Sequence, residues 1–359
     1  MLGLDGNLNS GNFETWTPIG NYDNRYIGTF DGAGHTLSGL YFNDSSEGSG
    51  GLFEYVGENG VVTNVGVTDC YFNGRTGVGG LCGNNYGKIT NCFARGTVFS
   101  RECVGGLCAA NYGEISNCYA VATVSNVYYS GSFCGYNDGT ITNCCAYGGN
   151  AIGTDNNGTS DNVFSKTIAQ FKSGEVAYTL NLNDGTDDDV WGQTIGTDDY
   201  PVLGGAKVYA TTGCVIYTNN AELNGTVKEH GEYVNDICPD CGEYKAAEEI
   251  DGVYQIGTVT DLYWFAQAVN RGNNTINAVL TSDITVNQNV LNENGELSEG
   301  SFKDWTPIGD YDNAIPYNGV FDGQNHTISG LYFNDTSAVC VGLFGCVGKK
   351  RRCNQCWRC

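Results

Sequence analysis

Four segments of this chain open alike and return on one beat: GVVTNV at Gly60, GKITNC at Gly87, GEISNC at Gly113 and GTITNC at Gly139, spaced 27, 26 and 26 residues apart. Asn64, Asn91, Asn117 and Asn143 therefore recur at one position of the beat, and Val65, Cys92, Cys118 and Cys144 follow them. A second column, Cys82, Cys108 and Cys134, keeps the interval, as do Asn85, Asn111 and Asn137 in an N-Y/D-G context. Self-similarity at a fixed period marks a repeat architecture in which each unit buries its face against the next. Within these repeats, short β-rich runs are cut by Gly, Asn and Asp, with no helical apolar stripe. The chain reads as all-β: a parallel β-helix (β-solenoid) with coils of about 26 residues, short capping helices and the start of a second solenoid.

Stacking explains the choice of residues. Successive coils lie about 4.8 Å apart, so identical side chains sit over each other. An inward Cys acts as a small buried apolar residue. A column of Asn at a bend can bond from rung to rung and satisfy turn backbone. The glycines of VGGLC, at Val78 and Val104, suit positive φ or close backbone approach. All these columns read as structural.

The same residues carry a family resemblance. The pattern G-G-L-C-x-x-N-x-G-x-I-x-N-C-x-A, at Gly79–Ala94 and Gly105–Ala120, resembles the GLUG repeat of large bacterial surface proteins. So does W-T-P-I-G … F-D-G-x-x-H-T-[LI]-S-G-L-Y-F-N-D, present twice, at Trp16–Asp44 and Trp305–Asp335. The resemblance implies an extracellular or cell-surface protein with a β-helix core. It implies no reaction.

Composition is that of a folded chain: 40% hydrophobic, 12% aromatic and 16% charged, with 53 Gly placed between β-rich runs. A formal charge of −23 leaves no basic patch for phosphates and argues against a nucleic-acid partner. No transmembrane segment is readable. The start, MLGLDGNLNS, lacks the basic and apolar regions of a signal peptide. Residues 1–16 align without a gap to 290–305, with Gly6, Leu8, Gly11, Phe13 and Trp16 on Gly295, Leu297, Gly300, Phe302 and Trp305. Met1 is therefore expected to lie inside a domain, with any signal sequence upstream.

The far end departs from the duplicated block. Where the first copy reads G-E-N-G-V-V-T-N-V-G-V from Gly57, the second reads G-K-K-R-R-C-N-Q-C-W-R-C from Gly348. One adenine inserted into a DNA encoding K-N-G-V-V-T-N-V-G-V yields K-K-R-R-C-N-Q-C-W-R and leaves a thymine, the first base of a Cys codon, for the last residue. Residues 349–359 are thus expected to be a frameshifted tail, and the spacing of Cys353, Cys356 and Cys359 is not read as a metal cluster. Removing Lys350, Arg351, Arg352 and Arg358 takes four positive charges from −23 and leaves about −27.

Five regions follow: 1–160, a GLUG-type solenoid; 161–205, a helical cap and post-repeat segment; 206–250, a Cys/His linker module; 251–348, a second solenoid with an N-terminal capping helix; and 349–359, the tail. Lys166–Asn181 is expected to be a helix, with Ile168, Phe171, Val176 and Leu180 on one face, closing the solenoid's open end. Thr258–Gly272 is expected to be a second helix, N-capped by Thr260 and carrying Leu262, Phe265, Ala266 and Val269 inward, over the end of the second solenoid.

Two stretches have ligand chemistry. Asp184–Asp189 resembles a calcium loop in composition but lacks the EF-hand register, and reads better as a solvated acidic loop. Cys214, His230, Cys238 and Cys241 combine a C-x2-C knuckle with a His and a distant Cys, a donor set suited to a closed structural zinc site; a Cys238–Cys241 disulfide or simple thiols are the other readings. Three of the 17 cysteines lie in the tail, leaving fourteen, and the stacked ones are expected to be reduced, because parallel side chains suit the disulfide torsion poorly. Of the adjacent Cys144 and Cys145, at most one points inward.

No catalytic constellation is readable. The coil acids Glu58, Asp69, Glu102, Glu114 and Asp138 share no column. Asp31 with His35, and Asp322 with His326, recur in the two copies of F-D-G-x-x-H-T, which fits a turn role in both. There is no H-E-x-x-H, G-x-S-x-G or Walker loop. The expected function is a non-enzymatic surface or secreted repeat protein, an adhesin, stalk or ligand-binding scaffold, whose partner is a carbohydrate or a host or cell-surface protein. Tyr86, Tyr112, Tyr119, Tyr128 and Tyr129 are candidates for stacking on sugars. The alternatives are a carbohydrate-active β-helix enzyme working with Asp or Glu on one face, and a frameshifted fragment of a larger surface protein.

Overall fold

The computed structural model describes residues 8–46, 48–125, 128–184, 189–309, 315–333 and 341–348. The tail 349–359, and Asp187 and Asp188 of the acidic loop, lie outside the described residues. Two compact units emerge, 1–211 with 217–226, and 212–216 with 227–359. The Cys/His module is divided between them.

The first unit is a parallel β-helix. One coil runs through four strands, Cys82–Asn85, Lys88–Thr90, Phe93–Phe99 and Cys103–Gly105, and the next repeats them as Cys108–Asn111, Glu114–Ser116, Tyr119–Ser125 and Tyr129–Gly131. Equivalent strands pair in parallel and in register, Cys82 with Cys108 with Cys134, Ile89 with Ile115 with Ile141, and Phe93 with Tyr119 with Cys145. Rung therefore stacks on rung, and every other side chain enters a shared lumen. Val62, Ile89, Ile115 and Ile141 fill it beside Cys92, Cys118, Cys144 and Cys82, Cys108, Cys134.

The bend between two faces falls at the recurrent Asn. Asn64, Asn91, Asn117, Asn143 and Asn162 all have positive φ, between 50° and 53°. Asn tolerates that left-handed conformation because its short amide finds partners locally. Asn162 shows that the stacking outlasts the sequence beat: Ile152–Asp155 and Thr159–Lys166 form one more coil, past the boundary expected at 160. This coil is only 19 residues from Asn143 to Asn162, which breaks the period while keeping the bond between them.

The VGG glycines do not have positive φ. At Gly79, Gly105 and Gly131 a Cβ would collide with the carbonyl oxygens of Cys82, Cys108 and Cys134. Close backbone approach at this corner is what excludes a side chain.

The expected helix over 166–181 is two helices, α1 (Ile168–Ser173) and α2 (Glu175–Leu182), broken at Gly174 with φ 93°. They lie along the flank, where Phe171, Val176, Ala177, Leu180 and Trp191 bury Phe93, Tyr119 and Cys145 of three successive coils. Phe93 and Tyr119 stack at 4.9 Å between ring centroids, and Trp191 meets Tyr119 edge-on at 5.1 Å. Cys144 points into the lumen and Cys145 into this flank cluster, so both are buried on opposite faces.

The second unit has a core built around α3 (Val259–Asn270), with Leu262, Phe265, Ala266 and Val269 packed among Ile256, Leu280, Trp305, Ile308 and Tyr317. Its N-cap is Thr258, not Thr260: the Thr258 hydroxyl accepts the Asp261 N–H, and Asp261 accepts the Thr258 N–H, a reciprocal box that Thr260 has no partner to make. The duplicated block folds the same way twice. Parallel bridges Ile19–Phe53 and Tyr26–Val56 recur as Ile308–Phe344 and Tyr317–Val347. The Trp16 indole donates to the Gly51 carbonyl at 3.1 Å, and Trp305 does the same to Gly342 at 3.0 Å.

Candidate metal centre and tyrosine groove

Cys214, His230, Cys238 and Cys241 come together in the second unit, with one ligand atom from each within 4.8 Å of all the others. Local chemistry places them. Cys214 follows the short strand Thr212–Gly213, which pairs with Val227–Lys228, and its N–H donates to the Lys228 carbonyl. Asn235 and Asp236, both with positive φ, form the two-residue turn that pairs Val234 with Ile237 and delivers Cys238. Gly242, with φ 72°, closes the knuckle: its N–H reaches the Cys238 carbonyl at 2.8 Å, and the Cys238 N–H reaches Glu243 at 2.7 Å.

The Cys214 and Cys238 sulfurs are 3.7 Å apart, and Cys241 Sγ is 3.5 Å from His230 Nδ1. The other ring nitrogen, Nε2, lies 3.1 Å from the Glu243 carboxylate, which also pairs with Arg271 at the end of α3. This Glu243 partnership turns Nδ1 toward the sulfurs. Burial pushes the Cys238 thiol up, but the backbone N–H of Cys241, the His230 ring, the Asp240 N–H and the Cys241 thiol outweigh it and hold the group down to about 6. Cys214 is pushed up to about 12, by burial first and then by the other two thiols. The cluster on its own thus favours a single thiolate.

The acid/histidine pairs of the duplicated motif close turns. Asp31 accepts the Ala33 N–H at 2.9 Å and Asp322 accepts the Gln324 N–H at 3.0 Å, while His326 faces Asp283 at 3.5 Å. Asp31 also accepts the Asn64 side-chain amide, and Asp322 that of Gln324.

On the first unit, an open groove of about 380 Å³ is lined from the sheet of Gly77–Gly79, Cys103–Gly105 and Tyr129–Gly131 and from the sheet that holds Phe53–Val56, Cys82–Asn85, Cys108–Asn111 and Cys134–Asn137. Tyr112, Tyr129 and Tyr136 line it with Tyr55, Asn84 and Glu102. Tyr86 stacks on Tyr112 at 4.6 Å, and Tyr129 meets Tyr136 edge-on at 5.7 Å. Burial and the neighbouring Tyr86 push the Tyr112 phenol up to about 12, so it stays protonated at any physiological pH. Tyr119 is not on an exposed face: it is fully buried under the flank, its hydroxyl donating to Pro201 at 2.7 Å. Tyr136 and Tyr55 were absent from the sequence candidates. Their rungs carry Asn84 and Ala110 at the same register, so no repeated tyrosine marks the column.

Comparison with known proteins identifies the repeats. The GLUG motif matches residues 74–98 and 100–125. A Gly-rich membrane protein of Evansella cellulosilytica is 40% identical over 79 residues, 21% of this chain and 9% of that protein. Halomucin of Haloquadratum walsbyi is 37% identical over 89 residues, 24% of this chain and 1% of its own length. No solved structure matches the chain. Among the described residues, no helix is long and apolar enough to cross a membrane.

Proposed function

We propose that this chain, a carrier of GLUG repeats, belongs to a cell-surface repeat protein, and that its first unit is a non-enzymatic rod presenting the tyrosine groove to a glycan. The observation that carries the reading is the convergence of Tyr112, Tyr129 and Tyr136 with the amide of Asn84 on one open face. Flat aromatic faces with nearby polar groups suit sugar rings, which offer apolar C–H faces rimmed by hydroxyls. Surface placement rests on the GLUG repeats and on the relatives named as a membrane protein and a halomucin. A net charge of −23 suits an exterior exposed to salt.

The non-enzymatic part rests on the groove's acid content. Glu102 is the single carboxylate among the described residues lining it, and Arg75 pairs with it at 3.6 Å. Glycoside hydrolysis by the usual route needs two carboxylates about 5–10 Å apart. Titrating the full chain with a panel of soluble polysaccharides tests the reading. At least one should bind without release of reducing ends, and Tyr129→Ala with Tyr136→Ala should weaken it tenfold or more. Cleavage would overturn the non-enzymatic reading; binding unmoved by both substitutions, or none to any glycan, would overturn the groove.

A further inference from the structure

We propose that Cys214, His230, Cys238 and Cys241 form a closed structural zinc site whose ion is the core of the module around it. The stretch between Thr212 and Ala246 has no apolar core of its own; its half-buried Tyr217 and Tyr244 pack on the cores of the first and second units respectively. Between Thr212 and Ala246, the buried side chains are Cys214 and Cys238, and every other residue is half-buried or exposed. Its regular structure is a few two-residue strands and one turn of 3-10 helix. So small an element cannot hold itself by apolar burial and requires a staple. Burying two thiols at the centre of a polar module makes sense when they are ligands.

Two opposite edges of the four-donor set have the lengths of a tetrahedral zinc site. Thiolates about 2.3 Å and imidazole about 2.0–2.1 Å from a zinc ion lie about 3.8 Å (S to S) and about 3.5 Å (S to N) from one another. The two edges given above, 3.7 and 3.5 Å, have those lengths. The His230 ring is held as a ligand should be, with Nδ1 on the sulfurs and Nε2–H on Glu243, itself anchored by Arg271. A carboxylate behind a ligating histidine fixes its tautomer and raises its basicity. Three sulfurs and one imidazole nitrogen select zinc over hard cations, and four protein ligands leave no position for substrate. The role is therefore fastening: the ion ties strand Thr212–Gly213 to the knuckle and, through Glu243 and Arg271, to the end of α3.

A Cys238–Cys241 disulfide is the competing state. It would leave the convergence of Cys214 and the oriented His230 without a purpose.

The test uses the full chain, purified without chelator and under argon. Elemental analysis should give one zinc per chain, and X-ray absorption a shell of three sulfurs and one nitrogen. Replacing zinc by Co2+ should produce the intense ligand-field bands of tetrahedral thiolate coordination. Cys238→Ser with Cys241→Ser should reduce bound zinc at least tenfold, while Cys346→Ser, outside the site, should retain it. Chelation should open residues 227–244 to protease and leave the first unit resistant. A metal-free chain whose denatured thiol count is short by two would overturn the proposal, as would an oxygen-rich shell or zinc retained in the double variant. The spectra of the unmodified chain decide the matter even where a variant fails to fold.

Discussion

The side-chain amide of Asn64 donates to the Asp31 carboxylate at 3.1 Å, and that bond ends a run that starts four coils away. Asn162 donates to Asn143, Asn143 to Asn117, Asn117 to Asn91 and Asn91 to Asn64, at 2.8 to 3.1 Å. A second ladder, wholly buried at its asparagines, runs the opposite way: Asn85 to Asn111, Asn111 to Asn137, and Asn137 to Asp155 at 2.9 Å. Each therefore terminates on a carboxylate. An ionised Asp only accepts, so it fixes which way every amide above it must face. Aligned amides polarise one another, which makes the column more than a set of separate bonds.

Asp31 should titrate below an ordinary Asp. The Ala33 N–H and then the Asn64 amide hold its carboxyl down. A folded pKa below the unfolded value of about 3.9 means stabilisation that is full above that value and lost as pH falls through the folded one. A 13C titration of the carboxyl checks this, and Asp31→Asn should flatten the acid limb of thermal stability. A midpoint at or above the ordinary value would contradict it.

Asn117 should be costly to remove for two separable reasons. Asn117→Ala loses ladder bonds on both sides and places Ala at φ 53°. Unsatisfied buried partners cost about 1–3 kcal/mol and the left-handed backbone about 1 more. Asn117→Gly restores the backbone and not the amide, so denaturant unfolding should rank the three chains Asn, Gly, Ala.

The stacked region was legible because its period is written in residue identity, and the columns of Cys and Asn named the rungs. What was not legible lay where the period changes. The coil ending at Lys166 is seven residues short of the beat, since Asn162 follows Asn143 by 19 rather than 26. The flank was missed because amphipathic α2 says only that one face is buried, not what covers it; Phe93, Tyr119 and Cys145 share a register but not a residue type. The Cys/His set was readable from its donors, whereas Glu243 and Arg271 behind His230 carry no spacing signal.

Column cysteines should be inert. Burial, first among the causes, raises Cys92, Cys108, Cys118 and Cys134 well above the ordinary thiol. Reactivity follows the thiolate. Iodoacetamide on the native chain at neutral pH should leave all four unmodified by peptide mass mapping, and modify them in denaturant. Native labelling at Cys118 would contradict the packing.

Trp191 should matter to the solenoid although it lies outside every coil. It is fully buried against Phe93 and Tyr119, and its indole donates to the Asn117 carbonyl at 3.3 Å. Trp191→Ala should cost about 3–5 kcal/mol, read by denaturant unfolding, and should expose Cys145 to alkylation. A loss below about 1 kcal/mol would mean the flank is not part of the first unit's core.

Methyl-to-methyl NOEs among Val62, Ile89, Ile115 and Ile141, in a chain labelled only at those methyls, test the stacking most directly. The expected spectrum has contacts between successive members of the column and none between Ile89 and Ile141, two rungs or about 10 Å apart. Missing contacts between Ile89 and Ile115, or a contact that skips a rung, would contradict like-over-like coils and the groove and ladders that rest on them.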